Sequence, residues 1–263
     1  MGQSTWDRPL IESTLKPQTI WDPNKYLNMW TSRFGGSASS LLGYAQFPDN
    51  SSGLPGLNFP QGSASTDGVV MSFNAFGTAA LDDGTFVLNP TYNLGRTTTH
   101  EVGHWLGLRH IWGDGNCSVD DFCNDTPVAS AANYGCPTGT SSCSSVDMIE
   151  NYMDYSNDDC MGIFTSGQTK RMRAAMDLYR SNIWSEGNLM ATGVSDNFDA
   201  STLLPAVDFS VSKRVIKEGS SVQLRSLSAH TDGSTTYTWS FPGSNLPDET
   251  GSSENVNFSE PGA

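Results

Sequence analysis

"HEVGHWLGLRH", residues 100 to 110, holds three of the four histidines of this 263-residue chain. On an α-helix each residue turns by about 100°, so His100 and His104 stand one above the other on one face and can share a metal. Glu101 follows the first histidine and points to the side, within reach of a metal-held water without being a ligand. That is the H-E-x-x-H logic of a zinc hydrolase. Gly107, three residues past His104, can take the left-handed conformation that ends a helix and turns the chain, bringing His110 around as a third ligand. Three protein ligands leave one position open, which marks a catalytic rather than a structural zinc site. The five-letter pattern alone is mimicked by exposed helical histidines; a glycine and a third histidine at fixed offsets make that reading improbable.

Composition narrows the partners. With 28 acidic against 14 basic side chains the net charge is -14, which repels a phosphate backbone and disfavours nucleic acid. No run of about 18 apolar residues exists, so no membrane span is expected. "MGQSTWDRP" has neither the positive nor the apolar region of a signal peptide. If the protein is exported, its signal has been removed or lies outside this chain. Low charge and abundant Gly, Ser, Thr, Asn and Asp are commoner in exported than in cytosolic proteins.

Cys117, Cys123, Cys136, Cys143 and Cys160 lie within 44 residues, and the other 219 residues have none. Their spacing lacks the C-x-x-C pairs of a zinc ribbon, so disulfides are favoured, given an oxidising compartment. One cysteine is left over.

Residues 25–34, 41–48 and 68–77 are rich in β-branched and aromatic residues between turn formers and predict short strands. A helix is expected over "YNLGRTTTHEVGHWLGL", capped by Asn93 or a nearby threonine. A second is expected over 165–184, capped by Thr165 or Ser166, with Met172, Met176, Tyr179 and Ile183 on its core face. Between them, 111–164 reads as a long loop, unusual unless functional or tied down. Residues 188–204 read as a linker, and alternating strands from 205 onward predict a small β-sandwich.

The zinc window, followed by a methionine turn in "IENYMDYSNDDCM" (149–161), matches the metzincin signature. Together with "YLNMW", "NDTP", "GCP" and "FTSGQTKRM" in this order, the chain resembles the pappalysin family of metzincin endopeptidases over roughly residues 20 to 185. The resemblance implies zinc on His100, His104 and His110, Glu101 as general base and acid, Met153 as the hydrophobic floor and Tyr155 as stabiliser of the developing oxyanion. It also implies disulfides Cys117–Cys143 and Cys136–Cys160. Cys123 stands where relatives carry an aliphatic residue, which leaves swapped pairing open.

Calcium is expected at "VDDFCNDTP" (119–127), with Asp121 and Thr126 as first ligands; a solvated acidic loop is the alternative. Asp158 or Asp159, where metzincins form the pocket for the residue after the scissile bond, is expected to pair a substrate Arg or Lys. Two solvated loop carboxylates are the plainer reading.

The last strands resemble PKD-type immunoglobulin-like modules, with His230 as a surface residue. Only about 25 residues precede "YLNMW", and the chain stops at "EPGA" before a closing strand, so the chain reads as a fragment of a longer protein. The expected fold is α+β: a metzincin-type domain over 1–187, a linker over 188–204 and a β-sandwich over 205–263. The expected function is a secreted or cell-surface zinc endopeptidase acting on peptides. The alternative is an inactive metalloprotease-like binding or adhesion protein, against which the presence of Glu101 argues.

Overall fold

A computed structural model describes residues 5–48, 53–57, 62–194, 207, 209–212, 219–226, 228, 234–241 and 246–258. The chain divides into two units, Met1–Asn188 and Leu189–Ala263.

The first unit opens with a helical run absent from the sequence expectation: α1 (Arg8–Leu10), a π turn (Ile11–Leu15) and α2 (Lys16–Thr19). Two prolines and a turn of wider pitch erase the 3.6-residue period that would have announced it. Strands β1 (Met29–Ser32), β2 (Gly43–Ala45) and β3 (Val69–Ser72) follow, at or within the expected segments. They form one mixed sheet in the order β1-β3-β2, with β1 parallel and β2 antiparallel to the central β3. The sequence of each strand fits its place. β3 is buried at all four positions, as a strand covered on both faces must be, whereas β1 alternates with Trp30 and Ser32 inward.

The helical run covers one face, where Ile11 and Leu15 meet Trp30, Tyr44 and Val70. Lys16 is fully buried there, paired with Glu12 at 2.6 Å and lying over the Trp30 and Tyr44 rings. The other face packs on α3 (Arg96–Trp105), through Val69 and Met71 against Val102, Trp105 and Leu106.

After α3 the chain runs as loop to residue 165, with one small hairpin, β4 (Ser141–Ser142) and β5 (Ser145–Val146). Cys117–Cys143 and Cys136–Cys160 are bonded, with Cα separations of 5.3 and 5.8 Å, and Cys123 is a buried free thiol. Helix α4 (Ser166–Tyr179) starts at Thr165, whose hydroxyl accepts from Gln168 N while the Gln168 side chain reaches back to the Thr165 N–H. It ends five residues before the expected 184, and Ile183 reaches the sheet-side core from the turn beyond. Arg180 closes this end: it makes two hydrogen bonds to Asp67 at 2.6 and 2.9 Å, donates to Trp105 O and lies 3.7 Å from the centre of the Trp105 ring.

Helix α5 (Glu186–Ala191) extends into the stretch expected as linker. In the second unit, β6 (Phe209–Val211), β7 (Ser220–Ser226) and β10 (Ser253–Phe258) form an antiparallel sheet in the order β10-β7-β6. β8 (Thr238–Trp239) pairs with β9 (Glu249–Thr250), and Val222, Leu224 and Val256 are the buried core. His230 and residues 195–204 lie outside the described residues.

Candidate active site

Helix α3 carries the site, and its start is held from far away. Its first residue follows Gly95, which is left-handed at φ 79° and offers no side chain as cap. The expected caps, Asn93 and the threonines, are not used. Asp158 supplies the acceptor instead, its Oδ2 taking Leu94 N at 2.7 Å and Arg96 N at 3.3 Å. A carboxylate at a helix N-terminus satisfies free N–H groups and complements the dipole.

The helix ends as its sequence requires. Gly107 is left-handed at φ 85°, Leu108 N bonds Gly103 O at 2.9 Å and Gly107 N bonds His104 O at 2.8 Å. This is a Schellman turn, which only glycine enters without strain. Arg171 of α4 clamps it by donating to Gly107 O at 2.8 Å. Past the turn, His110 comes back to face the helix.

The three imidazoles converge. His104 Nε2 lies 3.0 Å from both His100 Nε2 and His110 Nε2, and the latter two are 3.3 Å apart. His100 Nδ1 donates to Tyr152 O at 2.6 Å, His104 Nδ1 to Leu108 O at 2.8 Å and His110 Nδ1 to Asp114 Oδ1. Carbonyl and carboxylate oxygens only accept, so each Nδ1 carries the hydrogen and three Nε2 lone pairs point at one another. Such a set is repulsive by itself and fits a cation bound by nitrogen donors. Burial, with the charge of His110 next, pushes His100 down to about 3, and burial holds His104 well below its ordinary value. Both rings are therefore neutral, the state a metal requires.

Glu101 is 6% exposed, and burial, opposed by the charge of Arg8, pushes its carboxyl up to about 8. Its neighbour is Gly43 of β2, where a Cβ would stand 2.8 Å from Glu101 Cγ and Oε1. Only glycine leaves room for that carboxylate at the edge strand. A cleft of about 300 Å3 opens here, lined by Leu41 to Gly43, Arg96, His100, Glu101, Tyr134, Tyr155 and Asp158 among others.

The floor comes from the loop region. Met153 is fully buried, and a Cβ at Gly103 would strike its Sδ at 2.5 Å, so the methionine packs directly on α3 beside His104. Asn151 shapes this turn, accepting Met153 N at 2.9 Å and exchanging two hydrogen bonds with Gln168. Asp154 accepts Tyr155 N and Asn133 N, tying the turn to the disulfide-bonded loop. Tyr155 packs edge-on to His110, and burial, then the charges of Glu101 and Asp114, push its hydroxyl up to about 12.

The remaining expected residues divide. Asp158, 2% exposed, lines the cleft with Oδ1 lacking any hydrogen-bond partner among the described residues, while Asp159 is exposed and outside the cleft. Asp121 and Thr126 meet: the single Thr126 hydroxyl lies 2.8 Å from both Asp121 oxygens and 2.6 Å from Cys123 O. Asp114, Asn151 and Asp154 were not foreseen. The signal for Asp114 was a carboxylate four residues past the third histidine.

Residues 12–177 match the model of peptidase family M43, described as pregnancy-associated plasma protein-A. The chain belongs to this family. Among its relatives, an extracellular metalloprotease of Neurospora crassa is 51% identical over 94 residues, 35% of this chain and 33% of that protein. One of Podospora anserina is 38% identical over 183 residues, 65% and 53% of the two chains. The chain thus spans between a third and about half of these relatives' lengths. Mature mirolysin of Tannerella forsythia, solved in complex with a cleaved peptide, is 37% identical with a TM-score of 0.58, covering 71% of this chain and 67% of that one. The first unit therefore has a metzincin-type fold, with mixed sheet, active-site helix and loop-rich lower half. The M43 match stops at 177, short of the second unit.

Proposed function

We propose that the protein is a secreted zinc endopeptidase that hydrolyses peptide bonds with Glu101 as general base and acid. The observation that carries this reading is the convergence of three Nε2 lone pairs, with His100 and the buried Glu101 lining one cleft. His100, His104 and His110 would hold the zinc, which when bound supplies Lewis acidity toward the peptide carbonyl and lowers the pKa of water to about 7.

Glu101 takes a proton from the attacking water on a carboxylate oxygen and delivers it to the leaving amine. Tyr155, whose hydroxyl stays protonated at neutral pH, donates to the oxyanion of the tetrahedral intermediate. Strand β2 is an edge strand lining the cleft, so a substrate in extended form can pair with it. Asp158 Oδ1, buried and without a hydrogen-bond partner among the described residues, suits a substrate Arg or Lys entering the cleft.

Calcium is proposed at Asp121 and Thr126, where three oxygens crowd one hydroxyl that has a single hydrogen to give. A melting temperature that does not move across a calcium titration would remove that site. Export is supported by the relatives' description as extracellular and by the two disulfides.

The test is digestion of a proteome-derived peptide library by the zinc-loaded protein, with cleavage sites read by mass spectrometry. Glu101→Ala is expected to lower the rate by about 10²–10⁴-fold, and a zinc chelator to abolish it. Sites not enriched in basic residues remove the role of Asp158. A folded, zinc-holding sample that cuts nothing replaces the enzyme with an inactive binding protein.

A further inference from the structure

The three histidines are not oriented alike. His100 and His104 donate to main-chain carbonyls, which no substitution removes, whereas His110 donates to a side chain, Asp114. Asp114 sits on the turn after α3 with φ of 60°, a left-handed conformation that Asp and Asn adopt more readily than other side chains. The turn is braced for it: Arg109 donates to Gly113 O, and Gly113 N bonds His110 O at 2.8 Å. Arg109 also stands 3.8 Å from the second Asp114 oxygen. On its face the His110 ring stacks on Trp112, 4.3 Å between centroids and 3° from parallel. Ring plane and ring edge are therefore fixed by separate groups, and the edge is fixed by the only full charge among the acceptors of the three Nδ1 hydrogens.

A carboxylate accepting the Nδ1 hydrogen does two things that a carbonyl does more weakly. It holds the tautomer and ring direction, and it makes Nε2 a stronger electron donor. We propose that Asp114 is a positioning residue that sets the orientation and donor strength of His110 and thereby the affinity of the triad for zinc. This rests on the reading of the triad as a zinc site.

The experiment is a competition titration of the zinc-stripped full chain against a fluorescent zinc chelator, for wild type, Asp114→Asn, Asp114→Ala and Asp177→Asn. Asparagine keeps the left-handed backbone and an acceptor oxygen but not the charge; Asp177, exposed on α4, controls for net charge. Asp114→Asn is expected to weaken zinc binding by about 10–100-fold, and Asp114→Ala at least as much. Asp177→Asn should bind as wild type, and the zinc-free melting temperature of Asp114→Asn should match that of wild type. Wild-type affinity in Asp114→Asn overturns the proposal. So does a fall in zinc-free melting temperature large enough to account for the lost affinity, which would make the residue merely structural. A wild-type chain that binds no zinc overturns the site itself, an outcome distinct from either.

Discussion

The two sides of α3 are stabilised by different physics. On the sheet side, β3 is buried on both faces and the contacts are largely apolar, with buried charge paired as Lys16 with Glu12 and Arg180 with Asp67. On the loop side, between 111 and 164, the buried residues include Asp121, Thr126, Asn133, Asp147, Asn151, Asp154, Ser156 and Asp158. A segment with only one two-residue hairpin leaves many backbone N–H groups outside any ladder, and Asp121, Asp147, Asn151 and Asp154 accept those of Cys123, Ser142, Met153, Asn133 and Tyr155. Two disulfides then limit the freedom of what remains. The site needs both halves: α3 backed by the sheet supplies two histidines and Glu101, and the loop supplies the floor, Tyr155 and the Asp158 cap.

The contrast can be broken from either side. The largest effect is expected on the sheet side, from Arg180→Ala, which leaves Asp67 buried without its partner and should cost about 3–5 kcal/mol. Denaturant unfolding of the zinc-free chain checks it, and the whole first unit should unfold in one transition. Removing the Cys136–Cys160 bond by double serine substitution should cost about 2–4 kcal/mol. Its mark is local: hydrogen exchange should quicken between 130 and 160 while the amides of β1 and β3 stay protected. Equal loss of protection in both halves would erase the distinction drawn here.

The smallest effect concerns Asp125, whose carboxylate accepts Gly167 N at 2.7 Å and Thr165 Oγ1 at 2.8 Å, so that the loop side holds the start of α4. The Gly167 N–H first, then the Thr165 hydroxyl, hold its carboxyl below the ordinary value. The folded state therefore prefers the charged form. The stability it adds is present above the unfolded pKa of about 4 and is lost as pH falls through the lower folded value. The group is exposed, so Asp125→Asn should cost only about 0.5 kcal/mol at neutral pH. The difference from wild type should vanish in melts taken well below the folded pKa.

The same contrast explains what the sequence reveals. Strand β3 is visible as an apolar run, α4 as a 3.6-residue period behind a Thr165 or Ser166 cap, and the histidine triad as offsets of four and six residues. Each is a local pattern. The cap of α3 is not, because its acceptor lies 62 residues further on, in Asp158. Nor is the bond of Asn133 to Asp154 across 21 residues. The helical run at 8–19 is local but illegible, since a π turn breaks its period. Asp158 and Asp159 look alike in the sequence, because neighbours in a loop carry no sign of which one faces inward.

One thiol remains. Cys123 lies in the loop-side core with Leu108, Ile111 and Met153, and burial, then the charge of Asp121, push it up to about 12. Thiol–disulfide exchange requires the thiolate. Burial keeps this thiol protonated at neutral pH. In the unfolded chain the same cysteine titrates near 8.5 and stands six residues from Cys117. The molecule is thus born with an internal scrambling agent for its own disulfides and disarms it by closing the core around it. Refolding from the reduced state should accordingly yield mispaired isomers that native protein, once formed, does not regenerate.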